Sequence, residues 1–271
     1  MTKVGTGGVS LPRKVGLALS AGAARGLAHI GVLQVFREHG IPVDVIAGTS
    51  AGAIVGSLYA AGTDLDTLAN FAQELNWNKL VNITVPHLGL VSSEPMYQLM
   101  RLFTRDQAFE NLSIPTAVVA TDIQTGEGVV IKSGRIADGV RASFSIPGIF
   151  VPVELGGRLL VDGALVNRVP ADVCRELGAD IVIAVDVGLP PVGKKVKNLA
   201  HVILRTIEIL DRENAKYRPI QADVVIKPEL YNVTSTQLNR AAEIIEAGRA
   251  AAEAQLDEVI SALRGVQQQA N

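Results

Sequence analysis

The chain has 271 residues, 48% of them apolar but only 4% aromatic, and a formal net charge of -2. That length suits one large α/β domain or a domain with an appendage, its core built from Ala, Val, Ile and Leu, whose branched members favour buried parallel strands. The charge gives no electrostatic pull toward nucleic acid and the sequence no polybasic membrane anchor, so any peripheral membrane contact has to be hydrophobic, while a lone Cys174 excludes an internal disulfide and suits a reducing, cytoplasmic setting.

Residues 1–13 are basic without an apolar run behind them and are expected as a short disordered leader, not a secretory signal. Lys14 to Leu19 then reads as a strand that stops at Ser20-Ala21-Gly22-Ala23-Ala24-Arg25-Gly26, and Leu27 to His39 has helical spacing closed by Gly40. A loop of Gly and Ala before a helix exposes N–H groups at the helix N-terminus, which favours an anion. The dinucleotide fingerprint GxGxxG lacks its first glycine here and no Gly-Lys-Ser/Thr follows, so an oxyanion site is the better reading than nucleotide binding.

Pro42 to Ala47 predicts a second strand and Ala51 to Ala61 a helix, and between them stands Gly48-Thr49-Ser50-Ala51-Gly52. A serine on a sharp strand-to-helix turn lifts its hydroxyl clear of the sheet, and flanking glycines leave room for the crowded backbone. Two other readings compete, a small-residue turn in a packed α/β core and a membrane helix; against the second, the run after Gly52 is far short of the ~20 residues a span needs. Thr63 or Asp64 caps a further helix to about Leu75; Asn76 to Glu94 has no clear period, and Pro95 to Phe103 is helical again. The apolar members of this region, Trp77, Leu88, Leu90, Met96, Leu99, Met100 and Phe103, are candidates for a lid or a lipid-facing wall.

Pro115 to Asp122 and Gly128 to Lys132 read as strands, Ile136 to Ser143 as a short helix, and Ile146-Pro147-Gly148 as a break. Val151 to Leu155 and Arg158 to Val161 form a hairpin turned at Gly156-Gly157, which delivers Asp162-Gly163-Ala164 to a strand end, Gly163 permitting an unusual backbone angle. A helix ending at Gly178 and a strand from Ile181 to Val187 follow; Pro190 to Gly193 is the best boundary candidate. The tail predicts a helix over Lys197 to Arg212, a strand over Val224 to Lys227, and one long helix from Gln237 to Leu263, with a frayed end at Gln267 to Asn271. Alternating strands and helices imply parallel pairing with right-handed crossovers.

Ser50 needs a base. Asp162 or Asp186 followed by His201 satisfies a Ser, Asp, His order, but Ser50 follows only the second strand and His201 lies in a helical pattern. His29 and His39 fall on the first helix and His87 in the irregular segment.

With SAGAARG at Ser20 to Gly26, GTSAG at Gly48 to Gly52 and DGA at Asp162 to Ala164, joined by Arg141-Ala142-Ser143 and Ile146-Pro147-Gly148, the chain resembles bacterial patatin-like phospholipases over about Val15 to Ala184. The resemblance implies a three-layer α/β fold with a mainly parallel central sheet flanked by helices. It implies a catalytic domain over 14–190, with 191–271 as a helical extension packed on it. It also implies a Ser50-Asp162 dyad acting on fatty-acyl esters such as phospholipid or lysophospholipid, through an acyl-enzyme and with neither metal nor cofactor. Oxyanion donors would be Gly22 and Ala23, with Ala51 after the nucleophile, and Arg25, Gly26, Gly48, Gly52 and Gly163 would support the motifs. Ala21-Gly22-Ala23 departs from the family's three glycines, and alanine resists positive φ. Two other readings stay open: a non-catalytic lipid-binding module on the same fold, and a Ser-His-Asp esterase using His201.

Overall fold

A computed structural model describes residues 13–75, 82–83, 88–189 and 196–265. The expected leader up to Pro12, Trp77, His87, the boundary candidate Pro190 to Gly193 and the C-terminal residues expected to fray fall outside them.

Five strands run parallel in the order β11 (Val224–Ile226), β10 (Ile181–Val185), β1 (Val15–Leu19), β2 (Val45–Thr49) and β5 (Thr116–Asp122). Every residue of β1, β2, β5 and β10 is buried, as an apolar strand covered on both faces must be. Successive side chains separate into two cores. Leu17, Leu19, Ile46, Val118 and Ile183 enter a large one with α1 (Ala28–Glu38), α2 (Ala51–Ala60) and α3 (Leu65–Gln73). Ala18, Val45, Ala47, Ala117, Val119 and Val182 enter a smaller one against α6 (Ala171–Glu176) and its Cys174. The result is the expected α/β sandwich of helix, sheet and helix.

The sheet is mixed, not wholly parallel. Beyond β5 the chain adds β6 (Gly128–Ile131), β9 (Arg158–Asp162) and β8 (Val153–Leu155), each antiparallel to its neighbour; tight turns join β5 to β6 and β8 to β9. A second sheet of β3 (Asn82–Ile83), β4 (Gly89–Ser92) and β7 (Gly148–Phe150) lies beside α4 (Glu94–Phe103) and α5 (Ile136–Phe144). Its parallel β4–β7 pair joins residues almost sixty apart, which is why Asn76 to Glu94 reads as patternless locally.

Two further expectations are corrected. The second strand covers Val45–Thr49 instead of 42–47, since its register is set by pairing with β1 and β5, so it runs directly into Ser50. The single C-terminal helix is broken at Gln255 into α8 (Ala241–Ala254) and α9 (Leu256–Gly265). The break lets α8 lie on α1 while α9 reaches β10 and β11, and Gln255 Nε2 bonds the carbonyl of Val225 at the bend. At the α1–α8 crossing, a Cβ on Gly31 would stand 2.0 Å from Ile245 O and one on Gly248 2.0 Å from Ala28 O. Only glycine permits that approach, and it locks the C-terminal helix onto the first. α7 (Leu199–Ala215) is different in kind, with no fully buried residue.

Candidate active site

β2 ends and α2 begins at Ser50, whose φ of 54° and ψ of -115° lie outside the ordinary regions for a side-chain-bearing residue. Such a conformation costs about 1–3 kcal/mol and persists only where the surroundings fix it. Here they do. Ser50 N–H donates to Ser143 Oγ at 2.9 Å, and Ser143 Oγ donates in turn to Val119 O at 2.6 Å. The motif glycines are demanded by space: a Cβ on Gly48 would meet Gly52 C and O at 2.6 Å, one on Gly52 would meet Leu19 O at 2.1 Å, and one on Gly26 would meet Ala51 Cβ at 2.3 Å.

The antiparallel β9 carries Asp162 back to this edge. Ser50 Oγ donates to Asp162 Oδ2 at 2.6 Å, while Oδ1 accepts from Ala164 N–H at 2.9 Å and Thr121 Oγ1 holds the Asp162 carbonyl. Gly163 has an ordinary φ, so the expectation of an unusual angle is corrected: it is glycine because a Cβ would lie 2.2 Å from Val119 O. Asp162 is 5% exposed, and burial pushes its carboxyl up to about 6, against the lowering effects of its bonds to Ser50 and Ala164. Asp211 adds a smaller upward push.

The Ser20 to Gly26 loop approaches from β1. Ala23 takes φ 49° although it is alanine, and Gly22 is extended. The first bond of the following 3-10 turn runs from Arg25 N–H to Gly22 O, so the N–H groups of Gly22 and Ala23 precede it and are not consumed by it. Ala51, at the first position of α2, likewise has an N–H that no helical carbonyl reaches. Arg25 is buried behind the loop, with Nη2 donating to Val187 O and its guanidinium lowered to about 10, chiefly by burial. Ala21 N–H bonds Arg168 O, and Arg168 bridges Asp186 and Asp211.

No histidine hydrogen-bonds Ser50 or Asp162 among the described residues. His29 is buried against Ser20 O and pushed down to about 4 by burial, so its neutral ring donates from Nε2 and holds the loop. His201 Nδ1 accepts from Lys197 N–H in the first turn of α7. Asp186, the alternative acid, is occupied by Arg168 and Gly188 N–H.

Ser50 and Ala51 form part of the wall of an apolar cavity of about 140 Å³ between α2, α3 and α4, lined by Leu27, Ile54, Leu58, Phe71, Met96, Leu99, Met100, Phe103, Phe144 and Phe150. Of the residues expected as a lid or lipid-facing wall, Met96, Leu99, Met100 and Phe103 line this cavity and Leu88 is exposed. Ser143, Phe144 and Phe150 acquire their roles only through long-range packing, although Arg141 to Ser143 is a recognisable block in the sequence.

A family model described as patatin-like phospholipase matches residues 17–175. The chain is 40% identical over 181 residues to an uncharacterised NTE family protein of Mycobacterium tuberculosis, an alignment covering 66% of this chain and 50% of that one. It is 42% identical over 183 residues to a patatin-like phospholipase domain-containing protein of Caenorhabditis elegans, covering 64% and 14% respectively. The chain thus spans half or less of these relatives. The crystal structure of VipD from Legionella pneumophila superposes with a TM-score of 0.54 at 14% identity, covering 91% of this chain and 67% of that one, a likeness of fold.

Proposed function

The chain belongs to the patatin-like phospholipase family, and from that premise we propose that it is a serine acyl hydrolase cleaving fatty-acyl esters, phospholipid or lysophospholipid, with a Ser50-Asp162 dyad. The observation that carries the reading is the 2.6 Å bond from Ser50 Oγ to a buried Asp162 carboxylate, at a serine that also walls an apolar cavity. Asp162 takes the Ser50 proton as Oγ attacks the ester carbonyl, and Gly22, Ala23 and Ala51 N–H groups receive the oxyanion. Collapse expels the alcohol or lysolipid, which leaves with the proton from Asp162. Water, deprotonated by the same carboxylate, then releases the fatty acid and restores Ser50.

A carboxyl near 6 serves this cycle better than one near 4, because basicity rises while most of the group is still ionised at pH 7. The apolar cavity supports an acyl chain as the part of the substrate recognised on this side. Residues 14–190 and the tail act as one working unit in this reading, supported by the β10–β11 pairing and the Gly31–Gly248 crossing. The substrate is drawn from a lipid surface by peripheral contact, and the lone, buried Cys174 suits the cytoplasm.

The direct test is labelling by a fluorophosphonate probe. Labelling disappears in Ser50→Ala; labelling that survives assigns the nucleophile elsewhere. Ester turnover in Asp162→Asn and His201→Ala separates the dyad from the triad: an active Asp162→Asn beside a dead His201→Ala overturns the dyad. Absence of turnover across a broad ester panel, with lipid binding retained, replaces the enzyme by a lipid-binding module.

A further inference from the structure

Six of the eleven large apolar side chains that stand exposed among the described residues fall between Val196 and Tyr217, along α7 and its ends. Leu199, Val202, Ile209 and Leu210 recur at i, i+3, i+10 and i+11, with exposed Thr206 at i+7, so they form one stripe, and exposed Tyr217 stands in the turn just after the helix. Leu199 is 63% and Leu210 55% exposed, values at odds with a helix folded onto a core by its apolar face. Ile203, Leu204 and Ile207 are half-buried on the inward side, beside two acids: Glu208 accepts from Ser235 and pairs with Arg205, and Asp211 meets Arg168.

Cations border the stripe. Arg205, Arg212 and Lys216 follow at i, i+7 and i+11 along one edge, with Lys197 exposed at the head of the helix; Arg205 is paired with Glu208, and Lys216 with the exposed Glu213, the one acid that stands on the stripe face. Between residues 197 and 218 the sequence holds five Lys/Arg against three Asp/Glu, of which Glu208 and Asp211 are turned inward, in a chain whose net charge is -2. An apolar stripe edged by long basic side chains, with a tyrosine at its end, fits the interface of an anionic bilayer, where stems lie on acyl chains and charged heads reach phosphates. No described helix is long and apolar enough to cross a membrane.

The stripe is also placed over the chemistry. α7 packs on β7 and on the turn after Asp162, and Ile203 lies against Gly148, where a Cβ would come within 3.0 Å of Ile203 Cδ1. β7 continues into Phe150, a wall of the acyl cavity, which puts that wall about one helix diameter of ~10 Å beneath the stripe.

We propose that the solvent face of α7, through Leu199, Val202, Ile209 and Leu210 with Lys197, Arg205, Arg212 and Lys216, docks the protein on an anionic phospholipid surface beside the Ser50 cavity. The proposal rests on the acyl-hydrolase reading and names the surface from which that site takes its substrate.

The full chain is compared with a Leu199→Gln, Ile209→Gln, Leu210→Gln variant, glutamine preserving helix propensity at exposed positions. Co-sedimentation uses phosphatidylcholine vesicles with and without phosphatidylglycerol. The parent chain binds the anionic vesicles, added salt weakens binding, and the triple variant binds about tenfold more weakly or worse. Thr206→Leu, which extends the stripe, binds more tightly and keeps the test decisive if the triple variant misfolds. Equal binding by parent and triple variant, or no vesicle binding by the parent, overturns the proposal. So does self-association of the parent in sedimentation velocity that the triple variant abolishes, since the stripe then belongs to a second copy. Turnover of a soluble short-chain ester is unchanged in the triple variant. A parent chain that turns over this ester without binding vesicles sinks the docking alone, whereas a parent that docks with no turnover sinks the hydrolase reading alone.

Discussion

Replacing Asp162 by asparagine should stabilise the fold at neutral pH while abolishing activity. Burial holds the Asp162 carboxyl at about 6, roughly two units above its value in an unfolded chain, and each unit corresponds to about 1.4 kcal/mol. The sign follows from linkage. Below about pH 4 the carboxyl is protonated in both states and costs nothing. As pH rises from about 4 to 6 the unfolded state loses its proton first, so stability falls, and above 6 the native state has lost about 3 kcal/mol in full. The asparagine side chain has no charge to desolvate, and its oxygen still accepts from Ala164 N–H. Urea unfolding of both proteins at several pH values measures the gap, expected to be about 3 kcal/mol at pH 8 and to close toward pH 4. A gap independent of pH, or a variant less stable than the parent at pH 8, would refute the claim that burial sets this carboxyl. In the proposed dyad the same group must be ionised to act as base, so kcat/KM should climb with pH through an apparent value near 6 and lie about tenfold below its plateau at pH 5.

Gly52→Ala places a Cβ 2.1 Å from a main-chain carbonyl and should cost more than about 3 kcal/mol in urea, whereas Gly40→Ala, with open space around it and only its φ of +64° to strain, should cost about 1. Ser143→Ala leaves the Ser50 N–H buried without its acceptor; a stability loss of about 1–3 kcal/mol with a fall in kcat and little change in KM is expected, and the kinetic split checks it. Leu99→Trp fills the apolar cavity, so the ratio of long-chain to butyryl ester turnover should fall about tenfold, while an unchanged ratio would move the acyl chain elsewhere.

Much of the site is legible because its motifs are local. Gly48 to Gly52 announces a strand-to-helix turn from five consecutive residues, and the structure gives the reason for each glycine as a backbone contact closer than a methyl group. Asp162 is legible as an acid at a strand end, and helical surroundings set His29, His39 and His201 aside. The sequence by itself determined the buried parallel strands, since an unbroken apolar run is stable only with both faces covered, and it determined which serine and which carboxylate to consider. Only the tertiary structure decided that they meet, because 112 residues separate Ser50 from Asp162 and their distance depends on an antiparallel register between β5 and β9 that no local pattern encodes. Tertiary packing likewise raised the Asp162 carboxyl by removing water from it, made Gly163 a matter of space, and gathered Met96, Leu99 and Phe144 around one cavity. It left the stripe of α7 facing outward, a result invisible in the sequence, where an apolar helical period looks the same whether it meets a core or a membrane.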